Sequence, residues 1–201
     1  MVMRLQKYDG HFSKYCFVNE FFIPDEIEKI LFLEKIMDFD KGMISAGGNN
    51  NEFLEDTRNC SISFFGPDEN TGWIFDRLAH LIPKVNYDIF MLNIEGLSQI
   101  QYTIYDGKNE EHYDWHIDQF SRWVDFERKI SGVVFLSDPS EYEGGELEII
   151  TEGNPNKAES LKPNPGDVVF FASTFPHRVK PVTKGKRKTL VFWAEGKREG
   201  Y

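Results

Sequence analysis

The sequence predicts a mainly β protein: a β-sandwich or barrel, with helices from its N-terminal half packed on the outer face of one sheet. Three observations carry this. After Gly96 the chain breaks into seven short β-rich runs separated by turn residues at near-regular spacing. Before Gly96, two stretches place apolar residues at helical intervals, and two helices followed by a block of strands suit helices packed on a sheet. Hydrophobic residues make up 40% of the chain and aromatic ones 15%, which argues for an ordered core. At 201 residues the chain fits one domain, with a supporting region over 1–96 and a β core over 97–195.

Residues 17–40 read as an entry loop followed by a helix. Pro24 suits a first helical turn, and Asp25, Glu26 and Glu28 suit the positive end of a helix dipole. Ile27, Ile30, Leu31 and Ile36 form its apolar stripe. Residues 42–55 hold Gly47, Gly48 and three consecutive asparagines, a loop and a lid candidate. Arg58–Phe65 reads as a strand that Pro67 ends. Gly72–Tyr87 reads as a helix burying Trp73, Phe75, Leu78, Leu81 and Ile82. The later runs are Ser98–Tyr105, Tyr113–Asp118, Lys129–Leu136, Glu146–Thr151, Asp167–Ala172, His177–Val182 and Lys188–Ala194. The loops over 40–57 and 106–111 are expected to shape specificity.

A formal net charge of -10 argues against general nucleic-acid binding and favours a neutral or basic substrate. Cys16 and Cys60 are too few for a disulfide framework and offer no paired zinc pattern. Both are expected to be reduced. Met1–Gly10 carries charge but no apolar stretch, so no signal peptide is expected, and no run approaches the roughly 20 apolar residues of a membrane span. A cytoplasmic location follows. Nothing in the sequence speaks to oligomeric state.

The chemistry concentrates in His112-Tyr113-Asp114-Trp115-His116-Ile117-Asp118. Two of the chain's five histidines alternate here with two aspartates. In an extended segment, residues two apart face one side, so His116 and Asp118 could grip one ion while Ile117 points to an apolar face. His177, at the start of a later strand, supplies a third ligand. Two histidines and a carboxylate leave an ion's other positions open, which suits Fe(II) with a bidentate cosubstrate and O2. Residue pattern alone leaves two His-x-Asp pairs open, because His112-Tyr113-Asp114 has the same parity. A lone histidine is more often structural; the combination carries the metal reading. Arg187 lies ten residues after His177. If the two flanking runs form a hairpin, it returns to the metal and can bind a carboxylate through two parallel hydrogen bonds. Its neighbours Lys184, Lys186 and Lys188 read as a solvated basic turn. Glu143-Gly144-Gly145-Glu146 permits a tight turn into the next strand.

Taken in order, "QYTIYDG", "YDWHID", "RKISGVVFLSD", "YEGGELEI", "KPNPGDVVFFASTFPHRVKPV" and "GKRKTLVFW" resemble the Fe(II)- and 2-oxoglutarate-dependent dioxygenases of the prolyl 4-hydroxylase-like superfamily, small microbial and phage members especially. The resemblance covers roughly Phe17 to Trp193. It implies a double-stranded β-helix (jelly-roll) core. It also implies Fe(II), 2-oxoglutarate and O2, with ascorbate as an accessory reductant, and hydroxylation with release of succinate and CO2. Its Tyr-x-x-His-x-Asp register fits Tyr113, His116 and Asp118, and moves His112 to the approach. It assigns Arg187 and Tyr105 to the cosubstrate. Parity agrees for the tyrosine: Ile100, Tyr102 and Ile104 share an apolar face, and Gln101, Thr103 and Tyr105 share the other. The sequence departs at Phe135, where oxygen-sensing relatives carry a tyrosine. Ser131 on the same face is the expected substitute for that hydroxyl.

Trp115 and Trp193 could wall the site, and Arg58 resembles an arginine that faces substrate in relatives. The substrate that family weighting favours is a prolyl residue in a peptide or protein. Free amino acids and other small molecules are alternatives. Nucleic-acid demethylation is disfavoured, since those relatives carry a second arginine where this chain has Trp193. A non-catalytic jelly roll binding a metal or sugar is the reading from a different class.

Overall fold

The computed structural model describes residues 15–42, 44–45, 51–52, 56–119 and 126–198. The chain opens with β1 (Tyr15–Val18) and α1 (Pro24–Phe32), which tightens into a 3-10 turn at Leu33–Lys35. Short strands follow: β2 (Asp40–Lys41), β3 (Ile44–Ser45), β4 (Asn51–Glu52), β5 (Arg58–Asn59) and the longer β6 (Ser61–Phe65). After α2 (Gly72–Val85) the chain is mostly strand: β7 (Gly96–Asp106), β8 (His112–His116), β9 (Phe126–Phe135), β10 (Tyr142–Gly144) and β11 (Leu147–Ile149). It ends with β12 (Glu159–Leu161), β13 (Val168–Ala172), β14 (His177–Val179) and β15 (Val182–Lys197).

Two antiparallel sheets face each other. The larger runs β1-β13-β9-β15-β7-β6-β2, with β10 paired to β15; the smaller runs β12-β11-β14-β8-β5. This is the double-stranded β-helix that the resemblance implied.

Strand parity sorts the larger sheet's side chains into two cores. Ile100, Tyr102 and Ile104 of β7, Ile130 and Val134 of β9, Val168 and Phe170 of β13, and Leu190 and Phe192 of β15 pack with α1 and α2. The alternate residues, including Tyr105, Val133, Phe135, Val169 and Phe171, pack between the sheets. The period of two along a strand forces this division.

α1 begins where expected. Pro24 sits in the first turn and the Glu26 carboxylate accepts the backbone N–H of Ile23 at 3.0 Å. Its buried face is Ile27, Ile30 and Leu33. Ile36, expected in the stripe, is 60% exposed. The 3-10 turn has three residues per turn and carries Ile36 off the buried face. In α2, Ile74 is fully buried while Trp73 lies at the edge of the core.

Two expected strands prove to be sheet changes. Arg58–Phe65 divides at Cys60, with β5 in the smaller sheet and β6 in the larger. His177–Val182 ends early, at Val179. Pro181 has no N–H to offer a ladder, and the chain crosses there from β14 into β15. β14 and β15 therefore form no hairpin with each other. The loop over residues 42–55 lies partly outside the described residues; within it β3 pairs with β4.

Gly132 of β9 lies under the Phe192 ring. A Cβ there would meet ring atoms at 2.1 Å, in a core where Phe192 is fully buried. Gly132→Ala is expected to cost about 1–3 kcal/mol of overpacking, read as a melting temperature lower by about 2–4 °C per kcal/mol. Both thiols are buried, and burial pushes Cys16 up to about 12. A thiol reagent at mildly alkaline pH should label neither cysteine in the native protein and both in denaturant, as followed by mass.

Candidate metal centre

His116 ends β8 and His177 begins β14, and the two are cross-strand partners in the smaller sheet. Their ring centroids lie 4.1 Å apart. Asp118 follows β8 rather than continuing it. The strand stops at His116, Ile117 turns out to 51% exposure, and the backbone N–H groups of Asp118 and Gln119 both donate to Ser173 O at 2.9 Å. The carboxylate reaches the histidines through this turn, not through strand parity. Its Oδ1 lies 3.7 Å from His116 Nε2 and its Oδ2 lies 3.3 Å from His177 Nε2.

The donor set fits a divalent metal ion. One ligand atom from each of the three residues lies within 4.8 Å of the others. His116 Nδ1 is 2.8 Å from Asp114 O, and His177 Nδ1 is 2.9 Å from Phe175 O. A carbonyl can only accept, so each Nδ1 carries the proton and each Nε2 presents its lone pair to the centre. Burial, aided by the charge of His177, holds His116 down at about 3, so its imidazole stays neutral. Burial pushes the Asp118 carboxyl up, but His177 and then His116 outweigh it and hold it well below its usual range. The ionised carboxylate in turn draws His177 up against the effect of its burial.

Support comes from both sheets. Ser131 Oγ on β9 donates to Asp118 Oδ2 at 2.8 Å and lies 2.9 Å from Ser173 Oγ. Tyr113 stacks on His116 with centroids 3.5 Å apart, and the Arg58 guanidinium lies 4.5 Å above that tyrosine ring. Arg58 also donates to Cys60 Sγ at 3.2 Å and Gln101 Oε1 at 3.3 Å.

The metal triad opens into a cavity of about 1440 Å³ between the sheets, lined among others by Arg58, Tyr105, Arg187, Thr189 and Trp193. Arg187 is 1% exposed and faces Tyr105 across the β7–β15 ladder. Its guanidinium lies 5.4 Å from the Tyr105 ring and 5.1 Å from the Phe135 ring. Burial lowers its proton affinity, yet a guanidinium remains charged. Its Nε and Nη2 have no hydrogen-bond partner. Lys184 and Lys186 are exposed, as expected of a solvated turn, and pair with Glu143 and Asp106; Lys188 departs from that expectation, being half-buried and paired with Glu34 after α1. The double glycine makes room for the guanidinium. Gly145, at φ +67°, would place a Cβ 2.9 Å from Arg187 Cδ.

Four expectations change. Arg187 reaches the cavity because the sheets face each other, not through a hairpin with β14. Ser131 is committed to Asp118 and Ser173, so its hydroxyl is not the substitute for the one Phe135 lacks. Trp115 lies off the cavity, under the Arg178 guanidinium at 4.7 Å. The loop over 106–111 does not line the cavity either. It is tied down by Glu111, whose Oε2 accepts from Asp106 N at 2.9 Å.

His112 is turned away, with both ring nitrogens beside the carbonyls of Glu110 and Asp56. Asp114 is exposed. Trp193 does wall the cavity, with the Arg128 guanidinium 3.5 Å from its ring. The reading from residues assigned no role to Ser173 or Thr189. Thr189 had a signal, its position two residues after Arg187 on the same strand face.

A jelly roll with two histidines and a carboxylate at one end of its inter-sheet cavity defines a class of mononuclear metal oxygenases. Residues 100–195 match the family model of the 2OG-Fe(II) oxygenase superfamily. In fold, site and sequence together, this stretch is similar to the 2OG-Fe(II) oxygenases.

A PKHD-type hydroxylase of Teredinibacter turnerae is 47% identical over 66 residues, covering 33% of this chain and 28% of that protein. One from Pseudoalteromonas atlantica is 36% identical over 90 residues, covering 42% and 38%. The matched stretches thus span less than half of these curated relatives. Among solved structures, a Trichoplax adhaerens prolyl hydroxylase in complex with a hypoxia inducible factor peptide fragment gives a TM-score of 0.73 at 22% identity, covering 90% of this chain and 83% of that one. A Pseudomonas putida prolyl-4-hydroxylase gives 0.68 at 21%, covering 93% and 94%. These structural likenesses establish the fold.

Ser131→Ala should lower the affinity for Fe(II) or Mn(II) by roughly tenfold, the lower range for loss of an outer partner of a metal ligand. A metal titration that returns the wild-type affinity would deny Ser131 this role.

Proposed function

We propose that the protein is an Fe(II)- and 2-oxoglutarate-dependent hydroxylase of a prolyl residue in a peptide or protein, releasing succinate and CO2. One observation carries the reading. The cavity that holds the triad also holds a buried guanidinium with two unpartnered nitrogens. A buried guanidinium with nitrogens left unpartnered calls for an anionic ligand, and a dicarboxylate joined to the metal at one end meets that need at the other.

His116, Asp118 and His177 hold the iron, and Arg187 with Tyr105 orients the distal carboxylate of 2-oxoglutarate. The bound metal, with 2-oxoglutarate and O2, supplies the oxidising power to break an unactivated C–H bond. The chain's own part is positioning and shielding. Val133, Leu147, Phe171 and Val179 give the cavity an apolar lining that keeps water from the reacting centre. Asp118 stays ionised and offsets the metal's charge.

Several features support a peptide substrate. The cavity exceeds what one small dicarboxylate fills. Its lining includes Phe64, 46% exposed, and Ile117, 51% exposed, two apolar surfaces for an extended chain. Asp38 and Asp40 also line it, and they disfavour a phosphodiester backbone. Among the described residues no helix is long and apolar enough to cross a membrane. Two reduced, buried cysteines agree with a cytoplasmic enzyme.

Purified protein given Fe(II), 2-oxoglutarate and proline-containing peptides should form succinate, with one peptide gaining the mass of an oxygen atom. Arg187→Met should weaken 2-oxoglutarate binding by about 1.5–3 kcal/mol for each charge-assisted bond lost. An absence of cosubstrate binding by the wild type would dismiss the reading.

A further inference from the structure

We propose that Asp38 and Asp40 select a peptide that carries a lysine or arginine close to the target residue; this rests on the peptide hydroxylase reading above. Both carboxylates line the cavity and both residues are exposed. Other acidic side chains have cations beside them: Glu111 pairs with Lys41, Asp106 with Lys186 and Glu34 with Lys188. Among the described residues neither Asp38 nor Asp40 has a cationic partner.

Strand register places the pair. β2 is the outer strand of the larger sheet and pairs with β6, with Asp40 opposite Ile62. Opposite residues of an antiparallel pair share a face. Ile62 packs between the sheets, so Asp40 stands on the cavity side. Phe64, two residues beyond Ile62, takes the same side. There the core has run out, and Phe64 is 46% exposed at the cavity wall. An exposed aromatic ring near two carboxylates suits a cation, which the ring attracts through its quadrupole and the carboxylates through their charge. The space they rim is independently built for a ligand. Thr189 Oγ1 lines it deeper in, on a residue 1% exposed, and has no hydrogen-bond partner. Such a group is costly until something bonds to it.

The cavity's cations are engaged on other walls. Arg187 is buried, the Arg58 guanidinium lies over the Tyr113 ring, and that of Arg128 lies over Trp193. Lys41, next to Asp40, reaches Glu111 at 3.3 Å and Asn59 Oδ1 at 3.2 Å. A peptide running from the triad toward β2 therefore passes from a positively charged wall to a negatively charged rim. A lysine or arginine can lay its apolar stem along Phe64 and present its head to the carboxylates. An acidic residue at the same place would meet two like charges, and the chain's net charge of -10 adds to the repulsion.

The test uses proline-centred peptides that differ only in whether lysine, alanine or glutamate flanks the proline. Binding to protein loaded with Mn(II) and 2-oxoglutarate is read by fluorescence anisotropy at low and high salt, and succinate formation is followed separately with Fe(II). Exposed ion pairs are individually weak, so the wild type should bind the lysine set about threefold to tenfold tighter than the alanine set, and the glutamate set more weakly than either. The preference should shrink at high salt. The double variant Asp38→Asn with Asp40→Asn should bind the lysine and alanine sets alike, and Asp38→Lys with Asp40→Lys should favour the glutamate set. Both should keep the wild-type melting temperature, since neither carboxylate has a cationic partner in the protein. A wild type that binds all three sets alike, or binds none, overturns the assignment; succinate formation with any of them leaves the hydroxylase reading standing. A lysine preference that survives in both double variants places the selection elsewhere and also overturns it. A preference that follows the two aspartates, with no succinate from any peptide, upholds the charge selection and dismisses the hydroxylase reading.

Discussion

The Asp118 carboxylate fastens the two sheets together at the metal site. It leaves the end of β8 in the smaller sheet, takes a hydrogen bond from Ser131 in the larger, and faces the imidazoles of His116 and His177. The turn that places it is held by Ser173, just past β13 of the larger sheet. Burial alone would keep such a group protonated. His177, His116 and the serine hydroxyl keep it charged. Remove that carboxylate and the two rings keep their backbone hydrogen bonds but lose the third donor of the candidate metal site.

The arrangement separates two tasks. The smaller sheet supplies both histidines from adjacent strands, so their spacing is fixed by one ladder register. The larger sheet supplies Arg187, a buried charge lining the same cavity, and the serine that steadies Asp118. Its other face packs on α1 and α2. Among the described residues no helical residue lines the cavity, so the helices act on the site through the sheet they support.

Much of this was legible in the chain, for a physical reason. Period-two alternation says which face a residue takes, so the division of β7 into Ile100, Tyr102, Ile104 and Gln101, Thr103, Tyr105 was readable. Alternation does not say which strand lies alongside. The sheet changes at Cys60 and Pro181 therefore went unseen, and Arg187 was brought to the cavity by a pairing that does not exist. The ligand His116 was separable from His112 only through the resemblance, because both have the same parity. In the structure His112 is turned away, with its ring nitrogens beside the carbonyls of Glu110 and Asp56. Trp115 was misplaced because aromatic bulk beside a ligand looks like a wall from sequence, while its ring lies under Arg178 on the far side of the strand.

Gly145 carries a consequence for engineering. It touches neither the metal triad nor, through any side chain of its own, the cavity. Yet its missing Cβ defines the space into which the Arg187 stem settles, 2.9 Å from where that carbon would be, with Val182 equally close on the other side. The placement of the Arg187 stem is thus set from behind. A redesign that reshapes the Arg187 end of the cavity would begin by moving this turn and the β10–β15 seam, leaving the candidate metal triad and the inner lining as they are.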